Sequence, residues 1–350
     1  MADNQQLSQN LLNDLRALIG QSRQRVAVVI NAEITRLYWA IGKRINEEVL
    51  GQGRAEYGKQ TIRQLSERLT AEFGKGFTLT NLTHAIEFAR LYPDPSIVHA
   101  LSEQLTWTHL RTLIYVKDEL KREFYIQMAR LERWSSRTML EKMDGMLYER
   151  TAISQQPDET IRRDLTQLRD TGQLTPELVF RDPYFLDYLG LNDTYSEEEL
   201  EDAILSELQK FIIELGSDFA FMARQKRIVI DGDDHRIDLL FYHRRLRRLV
   251  AIDLKLGRFK AADKGQMELY LGWLRKHEML EGENSPIGLI LCAEKSHEHI
   301  ELLELDKGDI RVAEYLTHQL PRKLLEQKLH IAIEQARKRL NKLEDDQAAD

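Results

Sequence analysis

The stretch Arg236-Ile-Asp-Leu-Leu-Phe-Tyr242, His243-Arg-Arg-Leu-Arg-Arg248, Leu249-Val-Ala-Ile-Asp-Leu-Lys255 decides the fold. Its two flanks are short, apolar and rich in β-branched and aromatic residues, which is the pattern of strands. The basic link between them is short enough for a hairpin. Paired in this way, the strands bring Asp238, Asp253 and Lys255 together in apolar surroundings, where a lone charge is costly to bury. A divalent cation would change that balance. Aspartate oxygens are hard ligands and suit Mg2+ or Mn2+ rather than zinc. Lys255 lies two residues beyond Asp253, so both leave the strand on one face. A lysine there can orient a water, help to deprotonate it, or stabilise charge on a phosphoryl group, which are the needs of metal-assisted phosphodiester hydrolysis.

Outward from the hairpin the pattern extends to a domain. Ser196-Glu-Glu-Glu199 is a capping box, and a helix follows to Leu215, stopped by Gly216. Strands are expected at 219–230, 236–242 and 249–256, a helix at 263–279, and strands at 287–293 and 310–316. The order αβββαβ describes a mixed central sheet flanked by helices. A C-terminal helix is expected from about Leu320, fraying over 345–350.

The helix before the strands carries an apolar stripe of Leu200, Ile204, Leu208, Phe211, Ile212 and Leu215. Glu201 falls near the middle of that stripe. An acid there needs a partner or a function, which makes it the preferred third carboxylate. Glu207 and Glu214 fall at the edge, and Glu214 stays open as an alternative. Gln266 and Tyr270 are one helical turn apart on the next helix and share a face. Gln225 is a polar residue within the first strand and is expected at the nucleic acid.

The first half reads differently. Residues 1–150 carry helical periodicity throughout, with breaks at Gly51-Gln-Gly53 and Gly74-Lys-Gly76. A long helical stretch is expected over 105–130. Segments 60–73 and 78–92 have helix-turn-helix dimensions. Thr78, Thr80, Asn81, Thr83 and His84 open the second helix, where polar residues can reach base edges. A plain helical hairpin explains the same residues equally well. Trp39, Trp107 and Trp134 are expected in the core. Residues 151–195 are less regular and are expected to form a connector packed on a C-terminal domain of 196–350.

Composition sets the bounds. At 350 residues, 42% of them hydrophobic, the chain can bury the cores of two or three domains. No apolar run is long enough to span a bilayer, and no secretory signal precedes the first helix. Cys292 is the single cysteine, so no internal disulfide forms, and a reducing, cytoplasmic setting is expected. A net charge of -7 argues against a general nucleic-acid coat but allows a local one. Residues 236–260 hold eight Lys or Arg against two acids. Arg244, Arg245, Arg247 and Arg248 are expected to clamp a phosphate backbone beside the acids, although an exposed hairpin also uses such charges for solubility.

Each motif has a plainer reading when taken alone. D-x-K is common on solvated strand faces, Glu201 can pair with an arginine, and Q-x-x-x-Y is usually helix surface plus core. Taken in order on consecutive elements, they favour a nuclease. The arrangement resembles the PD-(D/E)XK, or restriction-endonuclease-like, phosphodiesterase superfamily, and within it the YhcG-like branch. The resemblance rests on Leu200-Glu-Asp-Ala-Ile204, Ile237-Asp-Leu-Leu-Phe-Tyr-His-Arg244, Val250-Ala-Ile-Asp-Leu-Lys255, Gly265-Gln-Met267 through Tyr270-Leu271, and Ile287-Gly-Leu-Ile-Leu-Cys292. Weaker cues in the first half are Tyr57-Gly-Lys, Asn81-Leu and Leu105-Thr-Trp-Thr-His-Leu110. The resemblance implies that Asp238 and Asp253 are metal ligands and that Lys255 is the catalytic lysine. Gln266 and Tyr270 match the Q-x-x-x-Y motif of RecB-like nucleases. Ile237 stands where the motif names proline.

The expectation is therefore an α+β, or α/β, protein with a helical N-terminal domain and a restriction-endonuclease-like core. It would hydrolyse DNA phosphodiesters, RNA being open, with Mg2+ or Mn2+. Asp238, Asp253, Lys255, Glu201, Gln266 and Tyr270 would form the site. A homo-oligomer is expected because cutting both strands takes two sites. The alternative is a non-catalytic DNA-binding or partner-recruiting protein on the same fold.

Overall fold

The computed structural model describes residues 2–50, 55–155, 158–191, 194–216, 218–305 and 308–317. The expected breaks at 51 and 53 and the expected C-terminal helix from Leu320 lie outside the described residues. The chain divides into two compact units, residues 1–143 and 144–350.

The first unit is helical. Its elements are α1 (Ala2–Ile45), α2 (Ala55–Phe73), α3 (Leu79–Leu91), α4 (Pro95–Ser102), α5 (Trp107–Leu113), α6 (Glu119–Glu132) and α7 (Ser136–Asp144). Local sequence sets these boundaries. Asp94 accepts from the Ser96 amide, and Pro95 occupies the first helical position. Asp118 caps α6 by accepting from Lys121 N at 3.0 Å, which splits the long helix expected over 105–130. Helices α1 and α3 approach so closely that a methyl group at Gly42 would collide with the Ala85 carbonyl. Trp107 and Trp134 are buried. Trp107 stacks on Tyr38 at 4.7 Å, and Trp39 is half-buried, donating to Tyr92 O at 2.8 Å.

Helices α2 and α3 have the expected helix-turn-helix dimensions, but most of the polar residues at the start of α3 serve the fold. Thr78 is the N-cap. Asn81 donates to Gly76 O and accepts from the Trp107 indole. Thr83 returns to Leu79 O, and His84 pairs with the Tyr115 hydroxyl at 2.7 Å. Thr80 is exposed.

The second unit holds α8 (Leu147–Gln155), α9 (Asp158–Thr171), β1 (Tyr184–Phe185), α10 (Glu197–Ser206), α11 (Leu208–Leu215), β2 (Phe219–Ile230), β3 (Asp233–His243), β4 (Arg248–Arg258), α12 (Ala261–His277), β5 (Ile287–Glu294), α13 (His297–Leu302) and β6 (Ile310–Leu316). The strands form one six-stranded sheet in the order β1-β6-β5-β4-β3-β2. β2, β3 and β4 are antiparallel, while β4, β5, β6 and β1 are parallel. This is the mixed sheet that the order of elements implies.

Strand alternation sorts the side chains into two layers. On β4, Val250, Ile252 and Leu254 join the core beneath α10 and α11, while Leu249 and Ala251 join the core beneath α12. A methyl group at Gly288 would strike Met267 of α12, so the glycine lets that helix lie close on β5.

The fold departs from expectation at two places. The helix expected from Ser196 to Leu215 is two helices, because Glu207 leaves helical geometry at φ -111°, ψ 28°. The stretch expected as a connector is part of the second unit's own core. Phe180, Tyr184 and Leu186 are fully buried there, and Tyr184–Phe185 adds an edge strand beside β6.

Candidate active site

The site forms where β3 and β4 part. Their ladder runs from His243↔Arg248 to Leu239↔Ile252 and stops there, although β3 begins at Asp233 and β4 runs on to Arg258. Past that point the Leu254 amide has no partner strand on the β3 side. Asp238 supplies one instead, its Oδ2 accepting from Leu254 N at 2.8 Å.

The outer ribbon also slips in register with its core. Along β3, Ile237 and Leu240 face the α12 side, whereas Leu239 and Phe241 face the other. The alternation therefore changes at Asp238. β2 makes the same change between Ala223 and Ile228. There Gln225 has a left-handed backbone, φ 46°, which is costly for a residue with a Cβ.

Asp253 and Lys255 leave β4 on the face that looks towards α12, as the two-residue spacing requires. Asp253 is 2% exposed. Its Oδ2 lies 2.9 Å from Lys255 Nζ, which is its ion-pair partner. Tyr270 of α12 is buried against the same group, and Gln266 donates to its hydroxyl. Tyr315 of β6 donates to the Lys255 carbonyl at 3.3 Å and fixes the end of β4.

Glu201 is 4% exposed. It arrives from α10, on the opposite layer, and meets β2 rather than the aspartates directly. Arg224 Nε donates to Oε1 and Gln225 Nε2 donates to Oε2. The same Gln225 Nε2 reaches Asp238 Oδ1 at 3.2 Å. Glu201 thus has both the arginine partner and the neighbourhood that the sequence allowed. Gln225, expected at the nucleic acid, turns its amide inwards between two acids.

The electrostatics are those of a strained acidic cluster. Burial, reinforced by the charge of Asp253, pushes the Asp238 carboxyl up to about 7, against the pull of the Leu254 amide and Lys255. Burial also raises Asp253, with Lys255 opposing it. Burial would lower Lys255, but Asp253 and Asp238 hold its ammonium above its ordinary range. Among the described residues no three His, Cys, Asp or Glu side chains gather closely enough to hold an ion by themselves. Two oxygen-donor side chains with the remaining places left to water and phosphate is the usual provision for Mg2+. Two hard carboxylates on neighbouring strands, both raised by burial, fit a divalent cation.

The other candidates lie elsewhere. Glu214 is held at the edge of the sheet. It pairs with Arg150, lies 3.8 Å from Arg181 and accepts from Phe185 N at 3.0 Å. Burial would raise its carboxyl, but the two guanidiniums keep it below the usual range. Glu207 pairs with Lys210 at 2.9 Å where α10 and α11 meet. Arg244, Arg245, Arg247 and Arg248 sit at the β3–β4 turn, away from the end of the ladder that holds Asp238 and Lys255. The turn is five residues from Asp238 along β3 and five from Asp253 along β4, or roughly 16 Å at ~3.3 Å per residue. Arg245 pairs there with Asp218, and Arg248 is half-buried 3.9 Å from Asp309. The basic run is divided by the hairpin itself, since Arg236, Arg258 and Lys260 lie on the open side of the acids and are exposed, Arg258 as many residues from Asp253 as Arg248 is.

One neighbour of the site went unread in the sequence. Glu197, in the first turn of α10, accepts from Leu256 N at 3.3 Å. Its place in a capping run of acids gave no sign that it meets β4.

Known families match both halves. Residues 177–330 match the YhcG PDDEXK nuclease domain, and residues 14–150 match the DUF1016 N-terminal domain. The YhcG protein of Escherichia coli (strain K12) is 36% identical over 309 residues, which are 79% of this chain and 81% of that protein. A repair endonuclease from Pyrococcus abyssi aligns over 37% of this chain and 50% of its own, with 21% identity and a TM-score of 0.26. A structure of the EndoMS-dsDNA2 complex aligns over 37% and 48%, with 21% identity and a TM-score of 0.27. Each of these two solved chains is spanned over about half its length.

Proposed function

This chain belongs to the YhcG nuclease family, and on that premise we propose that it hydrolyses DNA phosphodiester bonds with Mg2+ or Mn2+ at Asp238, Asp253 and Lys255. The observation that carries the proposal is the meeting of these three side chains where β3 and β4 diverge.

Asp238 and Asp253 would hold the ion, which supplies Lewis acidity and a more acidic water at neutral pH. The protein's own part is positioning and charge. Lys255 keeps its proton, because the acids beside it raise its affinity for one. Its ammonium can therefore orient an attacking water and hold a non-bridging phosphate oxygen. Tyr270, held by Gln266, lies near the charged group on the α12 side. Glu201, fastened by Arg224 and Gln225, adds negative charge next to Asp238. Arg236, Arg258 and Lys260 offer exposed cations at the same end of the hairpin and suit a phosphate backbone. Cutting both strands of a duplex takes two such sites, which a homodimer would provide. No described helix is long and apolar enough to cross a membrane.

Plasmid DNA offered with Mg2+ or Mn2+ tests the proposal. Wild type should cut, and Asp253→Ala and Lys255→Ala should not. Cleavage that survives both substitutions would reject the site. Metal-independent binding without cutting by wild type would favour the non-catalytic alternative.

A further inference from the structure

Gln225 does something at this site that its sequence position does not suggest. It lies on β2, the edge strand of the sheet, where a polar side chain would ordinarily point to solvent. Its backbone is left-handed instead, and it stands between the pairs Arg224↔Leu239 and Lys226↔Ile237, opposite Asp238. A strained residue of this kind persists only where its surroundings hold it. What holds it here is two carboxylates. The same Nε2 faces Glu201 Oε2 and Asp238 Oδ1. The amide has two hydrogens, one for each acid. Turning it over would aim its oxygen at both anions, so only one orientation is consistent with the contacts.

We infer that Gln225 is a positioning residue, a neutral spacer that fixes the separation and aim of Glu201 and Asp238 so that Asp238 can take up a divalent cation. This rests on the nuclease reading above. Glu201 is also fastened to Arg224, so the spacer ties Asp238 to an anchored group. Without it Asp238 keeps its bond to Leu254 but loses its second tether, and the two acids repel without an intervening donor. Outer-shell groups of this kind govern how well a site holds its metal, and their loss commonly costs roughly ten- to a hundredfold in metal affinity.

The informative variant is Gln225→Gly, because glycine adopts the left-handed backbone without strain while the side chain and its amide are removed. Mn2+ binding to the full chain is measured by calorimetry without DNA, and DNA binding is measured separately in a chelator. Gln225→Gly should weaken Mn2+ binding roughly ten- to a hundredfold, leave metal-free DNA binding unchanged and not lower the melting temperature. Gln225→Asn keeps an amide on a shorter arm and should retain part of the Mn2+ affinity; it also serves should the glycine variant fail to fold. Unchanged Mn2+ affinity with weakened DNA binding would overturn the inference and make Gln225 a nucleic-acid contact. Wild type that binds no Mn2+ would overturn the nuclease reading and this inference together. Wild type and both variants binding Mn2+ equally would overturn this inference alone.

Discussion

Asp238 Oδ2 accepts a 2.8 Å hydrogen bond from the backbone amide of Leu254, across the gap where the two strands cease to pair. The bond makes one metal-ligand candidate a structural part of β4, one residue from the other. Asp238 is nonetheless an uncomfortable anion, its carboxyl pushed up to about 7 mainly by burial. Between the ordinary carboxylate range and that value the folded chain holds a proton that the unfolded chain has released. Stability without metal should therefore fall as pH rises through this window. Asp238→Asn, which never ionises, should melt higher than wild type at pH 8 and close to it near pH 4. A tenfold change in proton affinity is worth about 1.4 kcal/mol, so the gain should be of the order of a few kcal/mol. Saturating Mn2+ should reverse the ranking. Thermal melts at the two pH values, with and without Mn2+, decide this.

Asp253 is buried and its partner Lys255 half-buried, so removing the lysine strands the acid. Lys255→Met should abolish cleavage and also destabilise the metal-free fold, by up to about 3–5 kcal/mol. Added Mn2+ should recover much of that stability by replacing the lost positive charge, without restoring cleavage. Denaturant titration in the presence and absence of Mn2+, run beside a cleavage assay, separates the two effects.

Glu214 should behave as a residue of the fold and not of the site. Glu214→Gln leaves Arg150 and Arg181 facing a neutral group and should cost several kcal/mol, within the range for a broken buried pair. Mn2+ affinity should stay within about twofold of wild type if the protein folds. Glu214 has a depressed carboxyl, so its contribution is present above the ordinary carboxylate range and is lost as pH falls through its folded value. The gap between wild type and Glu214→Gln should narrow in acid, as melts between pH 3 and pH 7 would reveal.

Phosphate contacts should map to the acidic end of the hairpin. Arg258→Ala with Lys260→Ala should weaken DNA binding and reduce the slope of log affinity against log salt by about 1 per lost contact. Arg245→Ala with Arg247→Ala should alter it less, because Arg245 already has Asp218 as a partner. Affinity measured over a salt series compares the pairs. A larger loss at the turn would favour the clamp.

The strands were legible because they are short runs rich in apolar, β-branched and aromatic residues, with ends marked by glycine or charge. Phe219–Ile230 and Ile310–Leu316 read at the boundaries they have. β1 was not legible, since two residues carry no periodicity and its place depends on Arg150 and Glu214, far away in the sequence. Asp253 and Lys255 could be paired from spacing alone. Glu201 could be set apart from Glu214 because it sits at the centre of an apolar stripe. The distance of the turn arginines from the acids was not legible, because a hairpin carries its turn away from its open end and strand pairing decides the separation. The inward aim of Gln225 was not legible, because a single left-handed residue reverses which way a strand side chain points, and nothing in its composition announces that.

The early end of the β3–β4 ladder puts stability and chemistry in competition for the same backbone groups. Substitutions that zip the hairpin further would give the Leu254 amide a main-chain partner and make the sheet firmer. They would also dislodge Asp238 from the place that the proposed chemistry needs. Hardening this protein against heat is therefore best attempted away from the fork, and a variant that gains robustness at this seam should be suspected of having given up its trade.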